Sequence, residues 1–239
     1  MKLPGLLIIG APRSGTSTLF NMLCQVPGIW GKVKEAHFFN RHWDKGLGYY
    51  EEVFKGAPEG DMLLEATPFY LAAPFVPARV KRTLPDVKLI VLLRDPVARC
   101  ISHYWWNQDK FGSDPEVLIN SYHHCVVHGH YDDHLQQWAM HFPRKQMLIF
   151  ASEAFFEAPA KWARHVAVQA AGIPHNVAYG TKFERTHYDP LEWRKAKYGP
   201  PVIPKEVRSW LRAHYAAHNK RLDKLLASFE ISKYWGGKP

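Results

Sequence analysis

Leu6-Leu-Ile-Ile-Gly10-Ala-Pro-Arg13-Ser14-Gly15-Thr16-Ser17-Thr18-Leu19 is the stretch that decides the fold. An apolar run of strand length ends at Gly10, a tight turn follows, and a helical pattern starts near Thr16. Backbone N–H groups in such a turn converge on one point, and the helix adds its positive end, so the segment reads as an anion cradle. Ser14, Thr16, Ser17 and Thr18 supply hydroxyl donors beside Gly15. Arg13 supplies a planar fork that stays charged. In a Walker A loop the second glycine is followed by lysine, which reaches the outer phosphates of a nucleoside triphosphate. Gly10 and Gly15 have that loop's separation, but Thr16 stands in the lysine's place. An ATPase or kinase is disfavoured.

Outward from this segment, further strand-length runs lie at Met62–Glu65, Lys88–Leu93 and Gln146–Phe150. Helical patterns cover Thr16–Cys24, Val76–Leu84, Val97–Gln108 and Tyr131–His141. A last helix, Lys205–Ser228, carries Val207, Leu211, Tyr215, Leu222 and Leu225 at near-helical spacing. The alternation predicts an α/β fold: a single P-loop-like domain over residues 1–239, with a central, mostly parallel β-sheet flanked by helices. A chain of 239 residues is long enough to bury one substantial core. Thr181 to Pro204 is polar, basic and proline-rich without periodicity, and reads as a long loop.

Lys88-Leu-Ile-Val-Leu-Leu-Arg94-Asp95-Pro96 through Ser102 repeats the logic of the first segment. A strand delivers Arg94 to its carboxyl end, where open α/β sheets place ligands. Asp95 is a good N-cap and Pro96 suits the first helical turn. Ser102 lies two turns on, so Arg94 and Ser102 together could hold a second phosphate. Two phosphate sites without the triphosphate lysine suit a nucleoside carrying phosphates at both ends. The net charge of +9 and a pI near 9.4 agree with an anionic partner. Three cysteines make no disulfide framework. The longest apolar run is far short of the roughly 20 residues a bilayer needs, so no membrane span is expected. If Met1 is the native start the chain has no export signal and a cytoplasmic location is expected. If the chain is an excised eukaryotic catalytic domain, the Golgi lumen is expected instead.

These residues resemble the sulfotransferases that use 3′-phosphoadenosine 5′-phosphosulfate (PAPS), especially the heparan sulfate, carbohydrate-modifying branch. Pro12-Arg13-Ser14-Gly15-Thr16 is similar to that superfamily's 5′-phosphosulfate loop, and Arg94-Asp95-Pro96 through Ser102 to its 3′-phosphate motif. Glu35-Ala-His37-Phe38-Phe39, Gly46-Leu-Gly-Tyr49-Tyr50, Glu65-Ala-Thr67-Pro68-x-Tyr70, Gly129-x-Tyr131 with Trp138, and Tyr215-x-x-x-Asn219-x-x-Leu222 resemble the glycan branch, in order along the chain. Departures from the family pattern put the acceptor in question and leave nucleotide binding intact. Arg13 replaces the usual lysine, Ala66 replaces a lysine that touches the sugar in some relatives, and Asn40 replaces an aspartate. The late basic loop is matched loosely by Arg194-Lys195-Ala196-Lys197-Tyr198-Gly199-Pro200.

The resemblance implies transfer of a sulfuryl group from PAPS to a hydroxyl or amine of a carbohydrate-like acceptor, an anionic glycan among the candidates, with release of PAP. It implies Glu35 as the base for the acceptor proton, Arg13 as electrostatic stabiliser of the leaving oxygen, and His37 as an orienting group. If the segment is extended, Glu35 and His37 face one side. Arg13, Ser14, Gly15, Thr16, Ser17, Thr18, Arg94, Ser102, Arg194, Lys195, Lys197 and Tyr198 are the implied nucleotide-binding residues. No nucleic-acid partner is expected. His123, His124, Cys125, His128, His130 and His134 are crowded enough to suggest zinc. Gly129 interrupts the run and the resemblance implies no metal, so no metal site is expected. A metabolite kinase and a non-catalytic heparin- or nucleic-acid-binding module are the rival readings.

Overall fold

The computed structural model describes residues 2–120, 123–174, 202–227 and 231–235. They belong to two compact units, one of Met1–Leu93 with His134–Thr186, the other of Arg94–Asp133 with His187–Pro239. The first holds five parallel strands: β1 (Leu6–Gly10), β2 (Ile29–Trp30), β3 (Met62–Ala66), β4 (Lys88–Leu93) and β5 (Met147–Ala151), in the order β2-β3-β1-β4-β5. The helices used below are α1 (Thr16–Leu23), α2 (Phe38–Arg41), α3 (Val76–Thr83), α4 (Pro96–Trp106), α5 (His124–Val127), α6 (Tyr131–Ala139), α7 (Pro159–Ala171) and α8 (Lys205–Leu226). The α/β expectation holds, and the sheet is wholly parallel. No helix among the described residues is long and apolar enough to cross a membrane.

Parallel strands covered on both faces must be apolar on both, and β1 and β4 show this. Leu6 to Ile9 and Leu89 to Leu93 are all fully buried. On one face Leu6, Ile8, Leu64, Ala66, Ile90, Leu92 and Phe150 pack with Leu19 and Leu23 of α1 and with Ala163, Val166, Ala167 and Ala170 of α7. After β1 the chain runs out to β2 and returns through β3. It then crosses to β4 and β5 on the other side of β1. The carboxyl end of β1 therefore lies where the strand order reverses, the position at which open α/β sheets hold ligands.

In the second unit, Cys100, Ile101 and Tyr104 of α4 pack with Cys125 and Val126 of α5 and with Val207, Leu211 and Tyr215 of α8. The Tyr215 hydroxyl donates to the Val126 carbonyl at 2.8 Å. A Cβ on Gly129 would come within 2.7 Å of that tyrosine ring, so the close approach requires glycine there. All three cysteines are free thiols.

Candidate functional site

The turn after β1 has the shape its residue types demand. Ala11 N–H donates to the Leu92 carbonyl at 2.7 Å, Ser14 N–H to Ala11 at 3.3 Å, and the Ser152 hydroxyl to the Ser14 carbonyl at 2.9 Å. Gly15 is the N-cap of α1 with φ +90°, and its conformation together with the ring of Phe156, 2.8 Å from where a Cβ would lie, excludes larger residues. No side chain caps α1 and no acidic residue stands in its first turn. The first-turn N–H groups therefore keep their affinity for an anion. The Ser14 hydroxyl is buried and has no hydrogen-bond partner among the described residues, which an anion's oxygen would supply. Arg13 and Thr18 are half-buried, Thr16 is buried and Ser17 is exposed. This donor set fits a phosphate- or sulfate-bearing group.

Glu35 and His37 meet by a route that the expectation of extended backbone did not include. The chain leaving β2 runs beside β3, with a bridge from Lys34 to Ala66 and the Glu35 N–H donating to the Ala66 carbonyl at 2.7 Å. Glu35 then takes φ +62° and His37 φ +52°. The segment is not extended there, because the His37 N–H turns to the Thr67 hydroxyl (3.2 Å) as the chain enters α2. The side chains still come together, with His37 Nε2 3.5 Å from Glu35 Oε2 and Lys34 Nζ 2.6 Å from Glu35 Oε1. The other imidazole nitrogen lies 3.2 Å from Asn40 Oδ1, so the ring is held at both ends. The hydrogen bond with His37, with help from the Lys34 charge, holds the Glu35 carboxyl down to about 2 against partial burial. Its side chain remains 39% exposed, so the carboxylate is reachable.

Among the described residues, the non-glycine positions with left-handed backbone are Arg13, Glu35, His37 and Ala227. Three of the four are the residues to which the resemblance assigns catalytic roles. Such conformations cost of order 1–3 kcal/mol each and cluster where function holds them in place.

Beneath this loop lies the glutamate of the Glu65-Ala-Thr67-Pro68-x-Tyr70 match, to which the sequence reading assigned no role. Glu65 on β3 is fully buried and accepts hydrogen bonds from the Thr67 hydroxyl at 2.5 Å and the Tyr50 hydroxyl at 3.1 Å. Burial pushes its carboxyl up to about 7, although these hydrogen bonds oppose the shift. Thr67 therefore links the two layers, donating to Glu65 and accepting from His37. The Tyr70 hydroxyl accepts from the Phe39 N–H at 3.3 Å, and the Tyr50 ring stacks on Phe38 at 4.4 Å. A charged residue inside the apolar run Met62-Leu-Leu-Glu65-Ala66 was the available signal.

Arg94 and Ser102 belong to the second unit, both half-buried. The Asp95 side chain accepts from Val97 N–H at 2.8 Å and Pro96 opens α4, as the capping pattern requires. The Tyr131 hydroxyl donates to the Arg94 carbonyl at 3.0 Å and fixes the backbone there. Arg194, Lys195, Lys197 and Tyr198 lie outside the described residues. In the first unit, Arg79 donates to the Phe39 carbonyl at 2.7 Å and lies over the rings of Trp43 and Phe75, and Arg82 also covers Trp43. Arg79 is half-buried by these contacts, and Arg82 remains exposed.

Comparison with known proteins bears on the family and the fold. The profile of the sulfotransferase domain family matches residues 3–192. Human heparan sulfate glucosamine 3-O-sulfotransferase 3B1 is 35% identical over 170 residues, covering 66% of this chain and 44% of that protein. Human bifunctional heparan sulfate N-deacetylase/N-sulfotransferase 3 is 27% identical over 265 residues, 94% of this chain and 30% of that protein. The chain thus spans less than half the length of these curated relatives. A sulfotransferase from Alicyclobacillus acidocaldarius has the same fold, with a TM-score of 0.78 at 21% identity over 98% of this chain and 100% of that one. Mouse sulfotransferase SULT7A1, solved with PAP, aligns with a TM-score of 0.52 at 18% identity over 98% of this chain and 85% of that one.

Proposed function

The chain belongs to the sulfotransferase domain family, and from that premise we propose that it transfers a sulfuryl group from PAPS to a hydroxyl or amine of a carbohydrate acceptor, releasing PAP, with residues 1–239 working as one sulfotransferase domain. The observation that carries the proposal is the left-handed backbone shared by Arg13, Glu35 and His37, the residues such a transfer needs. The names of the relatives support a glycan acceptor. Arg79 and Arg82, packed on aromatic rings beside α2, support an anionic one.

When bound, PAPS supplies an activated sulfuryl group whose departure leaves negative charge on PAP. Ser14, Gly15, Thr16, Ser17 and Thr18 would hold the 5′ end through backbone N–H groups and hydroxyls. Arg94 and Ser102 would hold the 3′-phosphate, and Arg194, Lys195, Lys197 and Tyr198 are carried as further nucleotide-binding residues. Arg13 stabilises the developing charge electrostatically, because a guanidinium does not give up its proton. Glu35 takes the acceptor's proton. The hydrogen bond with His37 and the Lys34 charge keep its carboxyl low, so it stands ionised and able to accept a proton.

Thermal shift with PAP, ATP plus magnesium, and heparin in parallel tests this reading. PAP is expected to raise Tm, ATP plus magnesium to have no effect, and Arg94→Ala to weaken PAP binding in calorimetry. A response to ATP plus magnesium without one to PAP would return the chain to the kinase reading. A response to heparin alone, falling steeply with salt, would make it a binding module.

A further inference from the structure

Among the described residues, one member of the histidine run 123–134 meets two histidines from far along the chain. His130 stands just before α6, and His214 and His218 are four residues apart on one face of α8. One ring nitrogen from each lies within 4.8 Å of the others, and all three residues are half-buried. His130 Nε2 is 2.8 Å from His214 Nε2, the rings of His130 and His218 stack at 4.1 Å, and Trp210 stacks on His214 at 4.8 Å. Imidazole nitrogens about 2.0–2.1 Å from a tetrahedral ion lie roughly 3.3 Å apart, so small ring rotations bring the three into range.

The surroundings of His218 fix which of its nitrogens is available. Nδ1 lies 2.7 Å from Oδ1 of Asp132, a fully buried carboxylate, and 2.9 Å from Arg221 Nη2. One nitrogen serves one of these neighbours, and the shorter contact, to an anion, makes Nδ1–H the donor. Nε2 is then left with its lone pair. Arg221 Nε donates to Asp132 Oδ2 at 2.6 Å, keeping that carboxylate anionic. A carboxylate behind an imidazole, with the far nitrogen free, is the arrangement found behind metal-ligating histidines.

We propose that His130, His214 and His218 form a three-imidazole site for a divalent transition-metal ion, Zn2+ in the first place, with Asp132 positioning His218 and a fourth coordination position open. The site ties the segment before α6 to α8 inside the second unit. Asp132, Asp133 and His218 form an alternative donor set, but both Asp132 oxygens are engaged by His218 and Arg221, which disfavours oxygen-seeking ions such as Ca2+.

The test uses the full chain without an added histidine tag, stripped with chelator and dialysed against ZnCl2. About one zinc per chain is expected by elemental analysis, as one closed ligand set binds one ion. Zn2+ is expected to raise Tm, and CaCl2 to leave it unchanged. His214→Ala and His218→Ala should lose the zinc, and His165→Ala, at an exposed histidine of the first unit, should keep it. Asp132→Asn should weaken binding about 10–100-fold. Co2+ in the wild-type chain should give the intense visible absorption of a four-coordinate ion, a readout that needs no variant to fold. Wild-type protein without zinc, zinc retained by His214→Ala and His218→Ala, or a pale six-coordinate Co2+ spectrum would each overturn the proposal.

Discussion

Glu35 and Glu65 carry the same functional group, sit on adjoining segments around His37, and are driven in opposite directions. Glu35 stands half in solvent between Lys34 and His37, and its carboxyl falls to about 2. Glu65 is sealed beneath it with the neutral hydroxyls of Tyr50 and Thr67, and its carboxyl rises to about 7. Close hydrogen-bonding and cationic neighbours favour the ionised form, and full burial disfavours it strongly enough to outweigh them at Glu65. The difference separates two jobs. The upper carboxylate is charged and accessible, as the proposed base must be. The lower one organises Thr67, and through it the His37 backbone.

Glu35→Gln is the sharpest way to break this contrast. Turnover should fall about 10²–10⁴-fold while PAP affinity stays near wild type, read by steady-state kinetics beside calorimetry. Turnover retained within about tenfold would remove Glu35 from the role of base.

Glu65→Gln addresses the buried layer. The folded state holds the Glu65 proton to about 7, and the ordinary value is 4.5. The unfolded chain thus releases this proton first, and stability falls as pH rises between those two values. The span corresponds to a ceiling of about 3 kcal/mol. Denaturation at pH 4.5 and pH 7.5 should show that slope in the wild type and a flatter one in Glu65→Gln. A slope unchanged by the substitution would mean that the carboxyl titrates normally.

Lys34→Met gives the smallest effect and refines the upper half of the comparison. Loss of the Lys34 charge and hydrogen bond should raise the Glu35 pKa from about 2 toward 4.5. Carboxyl-carbon NMR titration reads this directly. An unmoved titration would assign the whole depression to His37.

How far the sequence led depended on whether a residue's neighbours were local. The runs forming β1, β3, β4 and β5 were legible because a strand buried on both faces is apolar throughout. β2 is two residues long and carries no period. α7 presents Ala163, Ala167 and Ala170 to the core, and alanine contributes little contrast to a hydrophobic pattern. The turn containing Arg13 was legible because its hydroxyls, glycines and arginine lie within a few residues of one another. Glu35 was marked by resemblance, but its left-handed backbone follows from hydrogen bonds to Ala66 and Thr67, which no local reading contains. His214 and His218 stood at a visible spacing of four. Their partner His130 is 84 residues from His214, and only the packing of the second unit brings them together.

The hydroxyl of Ser152 grips the carbonyl of Ser14 across 138 positions of sequence, and Ala11 is fastened to Leu92. The anion loop is thus moored to β4 and to the helix start just beyond β5. The first mooring is side chain to backbone, so a change of residue at Ser152 would reach a bound nucleotide without touching it. Screens for altered donor affinity should therefore return hits at position 152 as readily as inside the loop itself.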